Sequence, residues 1–340
     1  MQEHEQPYCP ECDDFQETDG PDRRAFLRVA GLGTASLLGL GAVRGLRAEE
    51  KGKAAERASK PAEELVRELY ATMSDDQKKE VVLPYDHGGK SPTRLRMYNR
   101  PIGDKAIGRV YTRPQQELVE RILKAMCADD EGYRRLSRGG KFDAGSMLNC
   151  GAHIFGDPSD KKPYAWMFTG HHLTIRCDGN FADGVAWAGP LYYGHSPHGY
   201  SKDNVFFYQT QSVTSLFEGL TAKQREQATV KGNPGEGEAG FKPARKAGVT
   251  FTDLSKDQRE LVEKVMADLL SPFRKEDGNE VIAILKANGG LEKLSLGYYE
   301  DARMKDGEPW HFWRLEGPGF IWNYRILPHV HCYVRIAKQA

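Results

Sequence analysis

The stretch that decides the fold lies near the carboxyl end of the 340-residue chain and reads WHFWRLEGPGFIWNYRILPHVHCYVRI, residues 310–336. It contains runs rich in β-branched and aromatic residues, which are typical of strands. The Gly317-Pro318 pair interrupts them and predicts a turn. Four such runs follow one another with short connections and predict an antiparallel meander: residues 293–299, 310–316, 320–325 and 329–336.

Working outward from this stretch, the sequence predicts further strands at residues 165–168, 173–177 and 185–193. A four-residue spacing of apolar positions predicts a helix over residues 61–83. Together, the helices and the mostly antiparallel sheet predict an α+β fold, with the helices packed on one side of the sheet in a single large domain. Residues 231–248, rich in Gly, Pro, Lys and Glu, are interpreted as a surface loop within that domain.

Four helix starts carry the same capping box, in which Ser or Thr is followed three residues later by Gln. The four pairs are Ser74 and Gln77, Thr112 and Gln115, Thr221 and Gln224, and Ser255 and Gln258. Leu220 and Leu254 each precede one of the boxes. A decayed internal repeat and convergent capping explain this similarity equally well.

The bulk composition is that of an ordinary globular protein. Hydrophobic residues make up 39% of the chain and charged residues 28%, with 48 basic and 48 acidic side chains. These values argue against a wholly disordered chain. The neutral balance gives no reason to expect nucleic acid or an anionic membrane as a partner.

The amino-terminal region carries the marks of an export signal. The run from Arg23 and Arg24 to Arg28, RRAFLR, resembles the twin-arginine consensus, and the apolar residues 29–43 follow it. A membrane-spanning helix needs about 20 apolar residues, and this run is shorter. We therefore expect a removable signal and no stable membrane span in the mature form. A retained anchor is the alternative.

This resemblance implies an interaction with the twin-arginine export machinery and a periplasmic or extracellular location. The predicted organisation is a signal region at 1–48, a flexible segment at 49–60 and the α+β domain at 61–340. Twin-arginine cargoes cross the membrane folded, and many bind a metal or an organic cofactor first. The resemblance therefore favours a cofactor in this protein.

The six cysteines fall into two groups. Cys9 and Cys12 form a C-x-x-C that precedes the cleavable segment, so we assign it no role in the mature protein. The other four are Cys127, Cys150, Cys177 and Cys332. In an oxidising compartment they could pair in three ways, and four buried thiols are the equal alternative.

Histidines are the strongest candidates for chemistry. His329 and His331 are two apart, so a strand directs both imidazoles to the same face. His171 and His172 are adjacent, so only one of them can join that face, and His195 can reach it from a loop. A set of three histidines leaves an open position on a metal ion, and copper, zinc and iron all accept imidazole. The alternative is histidines satisfied by backbone or carboxylate hydrogen bonds.

Three further residues are candidates for ligand binding. Tyr193 or Glu316 can provide an oxygen ligand or a hydrogen-bond partner for the histidines. Arg314 and Glu316 lie on the same face of one predicted strand and can orient a polar small molecule. An exposed ion pair is the alternative for Arg314 and Glu316, and core packing for Tyr193.

Several motifs together resemble the domain-of-unknown-function family 3500 (DUF3500). They are IFGDPS at 154–159, WMFTGHHL at 166–173, GPLYYG at 189–194, RLEGPGFI at 314–321 and HVH at 329–331. The family has the same order of elements, and the similarity spans roughly residues 65–335. The family's final His-x-His is followed by Arg-Asp, whereas here Arg335 precedes Ile336, so any role of that aspartate is absent. The resemblance implies no activity.

Three functional hypotheses follow. The first is an exported metal-dependent enzyme, hydrolytic or redox, that uses His171 or His172 together with His329 and His331. The second is a non-catalytic protein whose histidines and aromatic residues bind a ligand in a pocket. The third is a structural or interaction domain with the histidines in its core. The sequence favours the first two over the third and does not separate them.

Overall fold

The computed structural model describes residues 61–159, 162–178, 189–232, 234, 248–300, 304–305 and 307–338. The twin-arginine segment, the flexible segment at 49–60, the pair Cys9 and Cys12 and most of the expected loop at 231–248 lie outside the described residues. Residues Pro61–Ala340 form one compact unit. Within the described part of the chain, no helix is long and apolar enough to cross a membrane.

The described residues contain nine α-helices and eleven β-strands. The helices are α1 Ala62–Thr72, α2 Asp75–Val81, α3 Ile107–Val110, α4 Arg113–Ala125, α5 Asp130–Leu136, α6 Phe207–Gly219, α7 Ala222–Ala228, α8 Lys256–Leu270 and α9 Lys275–Ala287. The strands are β1 Val82–Leu83, β2 Gly151–Gly156, β3 Tyr164–Gly170, β4 Leu173–Cys177, β5 Leu191–His195, β6 Thr229–Lys231, β7 Val249–Thr250, β8 Ser295–Glu300, β9 Phe312–Gly317, β10 Phe320–Arg325 and β11 Val330–Ile336.

All eleven strands belong to one sheet, in the order β1-β2-β3-β4-β5-β11-β10-β9-β8-β6, with β7 paired beside β8. The pairs β1–β2 and β6–β8 are parallel, and the other pairs are antiparallel. The predicted α+β class with a mostly antiparallel sheet is confirmed. The predicted meander is also confirmed, as β8 to β11 in sequence order.

The two faces of the sheet have different surroundings. On β10 the side chains of Phe320, Trp322 and Tyr324 join the large core that the helices share. The alternate residue Ile321 joins a small second cluster on the opposite face, against which Met97 packs. The helices therefore cover one face, and part of the segment between β1 and α3 covers the other.

The cysteines belong to the interior. Among the described residues, Cys127, Cys150, Cys177 and Cys332 are all buried and none forms a disulfide. Burial raises the pKa of the Cys127 and Cys150 thiols to about 12, so both stay protonated near neutral pH. Of the two alternatives that the sequence leaves open, the structure has buried thiols.

The helical pattern predicted over residues 61–83 forms two helices, α1 and α2, and the second begins at the predicted capping box of Ser74. Met73 has an extended backbone, with φ −78° and ψ 137°, and ends α1. Ser74 then starts α2 with a complete capping box. The break arises because the box offers free N–H groups a partner at a new helix start. Sequence patterns also missed α6, whose buried face includes the polar residues Gln209 and Thr210.

All four predicted capping boxes are present. They also bond to each other in pairs. The amide Nε2 of Gln77 donates to Oε1 of Gln115 over 2.7 Å, and Nε2 of Gln224 donates to Oε1 of Gln258 over 3.0 Å. Each pair bonds two helix starts to each other, and a short strand follows one helix of each pair: β1 follows α2, and β6 follows α7.

These pairs belong to an internal duplication. A spacing of 147 positions relates Ser74 to Thr221, and the same spacing relates Trp166 to Trp313 and Gly170 to Gly317. The sheet repeats in the same way, since β1 to β5 and then β6 and β8 to β11 each give one parallel pair followed by three antiparallel pairs. Convergent capping does not explain this correspondence, so the structure favours the repeat. The two halves meet where β5 pairs with β11.

We predict that Gln115→Ala and Gln258→Ala each lower the free energy of unfolding by about 0.5–1.5 kcal/mol, because each change removes side-chain hydrogen bonds to backbone groups at helix ends. Gln115 accepts from the N–H of Thr112, and Gln258 donates to the carbonyl of Gly219. Glu117→Ala, at an exposed position of α4, is the control and should be nearly neutral. Urea denaturation measures all three. A large effect at one glutamine and none at the other would contradict the equivalence of the two pairs.

Candidate metal centre

Three histidines converge at the ends of the central strands. Nε2 of His172 lies 3.0 Å from Nε2 of His329, which lies 2.9 Å from Nε2 of His331. Each residue offers one ring nitrogen, and all three nitrogens lie within 4.8 Å of one another. The three residues are at most 7% exposed. These three side chains can hold one metal ion.

The backbone explains how distant residues meet. His331 is the second residue of β11, and His329 immediately precedes that strand. His171 and His172 were expected on a strand, but they form the turn between β3 and β4, because His172 has a left-handed backbone with φ 59°. The two rings therefore do not point to opposite faces. Their ring centroids lie 4.0 Å apart with the ring planes tilted by 52°, and only His172 belongs to the group of three.

The carboxylate of Asp143 bonds to two histidines of the site on the side away from the three converging nitrogens. Oδ2 of Asp143 lies 2.8 Å from Nδ1 of His172, and Oδ1 lies 3.1 Å from Nδ1 of His195. The backbone N–H of Ser196 also donates to Oδ2, over 3.1 Å. The Asp143 side chain is only 8% exposed. Hydrogen bonding of the second ring nitrogen to a carboxylate is the usual support for a metal-ligating histidine.

The pKa shifts favour metal ligation. Burial lowers the pKa of His172 well below its usual value, and the hydrogen bond to Asp143 only partly offsets this effect. Burial, followed by the adjacent Arg325 cation, lowers the pKa of His331 in the same way. Burial alone would raise the pKa of Asp143, but hydrogen bonds from His172 and His195 hold it well below its usual range. His172 and His331 are therefore neutral and Asp143 is ionised near neutral pH, which is the state that favours metal binding.

Two arginines shape the site. Nη2 of Arg325 lies 2.6 Å from Nδ1 and 2.9 Å from Nε2 of His331, and it holds that ring against β10. Nη2 of Arg138 donates to the carbonyl of His171 over 2.7 Å, and Nη1 lies 3.3 Å from the carbonyl of His172. Arg138 thereby fixes the turn that carries His172. Both guanidinium groups are buried.

The other predicted site residues have different positions. His195 bonds Asp143 and is not a member of the group of three. The structure places Tyr193 in the helix-side core, where its hydroxyl donates to the carbonyl of Leu269 over 2.7 Å, because alternation along β5 turns it away from His331. Arg314 donates to Oδ1 of Asn323 over 2.8 Å, and Glu316 is buried two positions further along β9. Arg314 and Glu316 are therefore two strands away from β11.

Sequence reasoning missed Asp143, Arg138 and Arg325. Asp143 lies in the segment RGGKFDAG, residues 138–145, whose glycines indicate a tight loop but not its partners. Arg325 ends β10 opposite His331, a register that the turn Ile326–Pro328 sets. The one available signal was a glycine-rich loop that contains the charged residues Arg138, Lys141 and Asp143.

We predict that Gly194→Ala disturbs this site. A Cβ there would overlap the carbonyl oxygen of Val330 and stand 3.1 Å from Cδ2 of His331 and 3.4 Å from Cβ of His172. Overpacking of this kind lowers stability by about 1–3 kcal/mol. Gly278→Ala is the control, since its Cβ would be 3.7 Å from Leu270 and should leave stability unchanged or raise it by up to about 1 kcal/mol. Equal thermal stability of Gly194→Ala and the wild type would contradict the close packing at this glycine.

Comparison with known proteins identifies the family but no activity. The family model described as "Protein of unknown function (DUF3500)" matches residues 55–339. No curated protein matches the chain, and no solved structure matches it. The match includes the turn with His172, the strand with His331 and the loop with Asp143. The chain belongs to the DUF3500 family.

Proposed function

We propose that the protein is an exported metal-dependent enzyme whose centre is formed by His172, His329 and His331. The convergence of three buried Nε2 atoms carries the proposal. Three imidazole nitrogens bound to one ion at about 2.0–2.1 Å lie about 3.0–3.4 Å apart, depending on the coordination geometry. In the structure two of the separations are 3.0 and 2.9 Å, close to that range, and all three are within 4.8 Å. Small ring movements would complete the fit.

The surroundings support a metal rather than a purely structural cluster. Burial disfavours protonation of His172, and burial together with the Arg325 cation disfavours protonation of His331, so both rings can offer a lone pair to a metal ion. At Nε2 of His331 the ion would replace the contact with Nη2 of Arg325. Copper, zinc and iron all accept a set of three imidazoles.

The number of ligands favours catalysis. Three protein ligands are typical of catalytic sites, because they leave a position for water or substrate. A bound transition metal would supply Lewis acidity or electron transfer at that position. The residues of the chain have separate tasks: the three histidines hold the ion, Arg325 and Arg138 hold the ligand-bearing segments, and buried surroundings limit access by water. Hydrolytic and redox reactions are both compatible with this set.

We predict about one metal ion per chain in protein purified from the exported fraction without a metal-affinity column. Loss of an outer hydrogen-bond partner lowers metal affinity by about 10–100-fold. We expect a larger loss of metal affinity in His172→Ala and in the double variant His329→Ala/His331→Ala, because these changes remove the ligands themselves. His198→Ala is the matched control, because His198 pairs with Glu308 at 3.4 Å and lies outside the group of three. Elemental analysis measures the metal, and circular dichroism checks the fold.

Reloading the metal-free protein separates the two reaction classes. Activity on ester, amide or phosphate substrates that returns with zinc indicates hydrolysis, whereas activity that returns only with copper or iron indicates redox chemistry. Absence of metal from the wild type, also after soaking with copper, zinc and iron, would contradict the metal centre. Equal metal content in His172→Ala would place the ion elsewhere.

The export part of the proposal rests on the sequence RRAFLR at residues 23–28. We predict that the double variant Arg23→Lys/Arg24→Lys stays in the cytoplasm, because the twin-arginine machinery distinguishes paired arginines from lysines. Arg44→Lys/Arg47→Lys keeps the same net charge and is the control, which should be exported normally. Cell fractionation and immunoblotting measure both. Normal export of the first variant would remove the twin-arginine assignment and leave the metal centre untouched.

A further inference from the structure

One carboxylate is shared by two histidines at the candidate metal centre. Oδ2 of Asp143 is 2.8 Å from Nδ1 of His172, and Oδ1 is 3.1 Å from Nδ1 of His195. An ionised carboxylate only accepts hydrogen bonds. Both Nδ1 atoms must therefore carry a hydrogen for both contacts to be favourable. In a neutral imidazole this leaves Nε2 without a hydrogen.

This tautomer is the one that a metal ligand needs. The lone pair of Nε2 of His172 then faces Nε2 of His329, 3.0 Å away, at the point where the three rings converge. The opposite tautomer would place a hydrogen there and turn the lone pair of Nδ1 against the carboxylate. The acceptor Asp143, which lies outside the three histidines, therefore decides whether His172 can bind an ion.

The loop that carries Asp143 has a strained backbone. Arg138, Phe142 and Asp143 have φ values of 50°, 54° and 51°. Such left-handed residues other than glycine cost about 1–3 kcal/mol each and persist only where the surroundings hold them. Arg138 anchors the same loop to the carbonyls of His171 and His172. The loop and the His171–His172 turn therefore form one connected unit.

We infer that Asp143 is a positioning residue of the metal centre, whose carboxylate holds His172 in the Nδ1–H tautomer and aims Nε2 at the ion, with His195 as the second donor that fixes the carboxylate. This inference rests on the proposed metal centre. It also makes a statement about the metal-free protein, because the tautomer exists before any ion binds.

Asparagine at position 143 tests the role directly. An amide has a single acceptor oxygen, and its NH2 group cannot accept from an Nδ1–H, so Asp143→Asn removes the separate acceptor oxygen that each ring has in the wild type. The two rings must then share one oxygen, or one of them must change tautomer or turn away. We expect cobalt or zinc affinity to fall by about 10–100-fold, the usual effect of losing such a partner. Nitrogen-15 NMR of the histidine rings in the metal-free protein, and the visible spectrum of the cobalt-loaded protein, should both change.

Three further variants serve as controls. His195→Asn keeps an N–H donor near Nδ1 and should retain near wild-type cobalt affinity and spectrum, whereas His195→Leu should weaken affinity about tenfold. This pair keeps the inference testable if Asp143→Asn does not fold. Asp277→Asn changes a buried aspartate that pairs with Arg274 at 2.9 Å and should leave the cobalt spectrum unchanged.

The outcomes separate the two proposals. If the wild type binds no metal, the proposed function fails, and the ring spectra still decide the tautomer. A wild-type His172 with its hydrogen on Nε2 would overturn the positioning role. Wild-type cobalt affinity and spectrum in folded Asp143→Asn, or equal affinities for His195→Leu and His195→Asn, would overturn it as well.

Discussion

The antiparallel pairing of β5 with β11 is the interaction on which the fold and the site both depend. It joins the two halves of the sheet and sets His331 opposite Gly194 and Val330 opposite His195. The glycine leaves room for the His331 ring, and its N–H donates to the carbonyl of His172 over 2.9 Å. One ladder thus brings residues that are 157 positions apart in sequence into hydrogen-bonding distance.

The two halves of the sheet contain equivalent turns, one between β3 and β4 and one between β9 and β10. Of these two turns, only the first contains histidine. The spacing of 147 positions relates His171 and His172 to Pro318 and Gly319, in the turn between β9 and β10. The second turn therefore lacks the ring that would complete a matching centre. Departures from the pattern of a fold occur mainly at functional sites. A difference between the two turns is therefore expected if only one copy of the repeat contains a functional site.

Many of the strands and helix starts could be predicted from the sequence because they depend on local signals. The strands at 173–177 and 320–325 have the predicted bounds, and all four capping boxes form as expected. Alternation along a strand correctly brought His329 and His331 to one place, although His329 lies just before β11. The predictions failed where contacts between distant parts of the chain determine the structure. The left-handed φ of His172 and the approach of Asp143 from a loop are set by contacts that no local pattern contains.

The central claim is that one ion binds between His172, His329 and His331. Anomalous diffraction at the absorption edge of the bound metal, from crystals of protein purified from the exported fraction, tests it most directly. We expect one strong peak about 2.0–2.2 Å from the Nε2 atom of each of the three histidines. A peak at other residues, or no peak in crystals soaked with copper, zinc and iron, would contradict it.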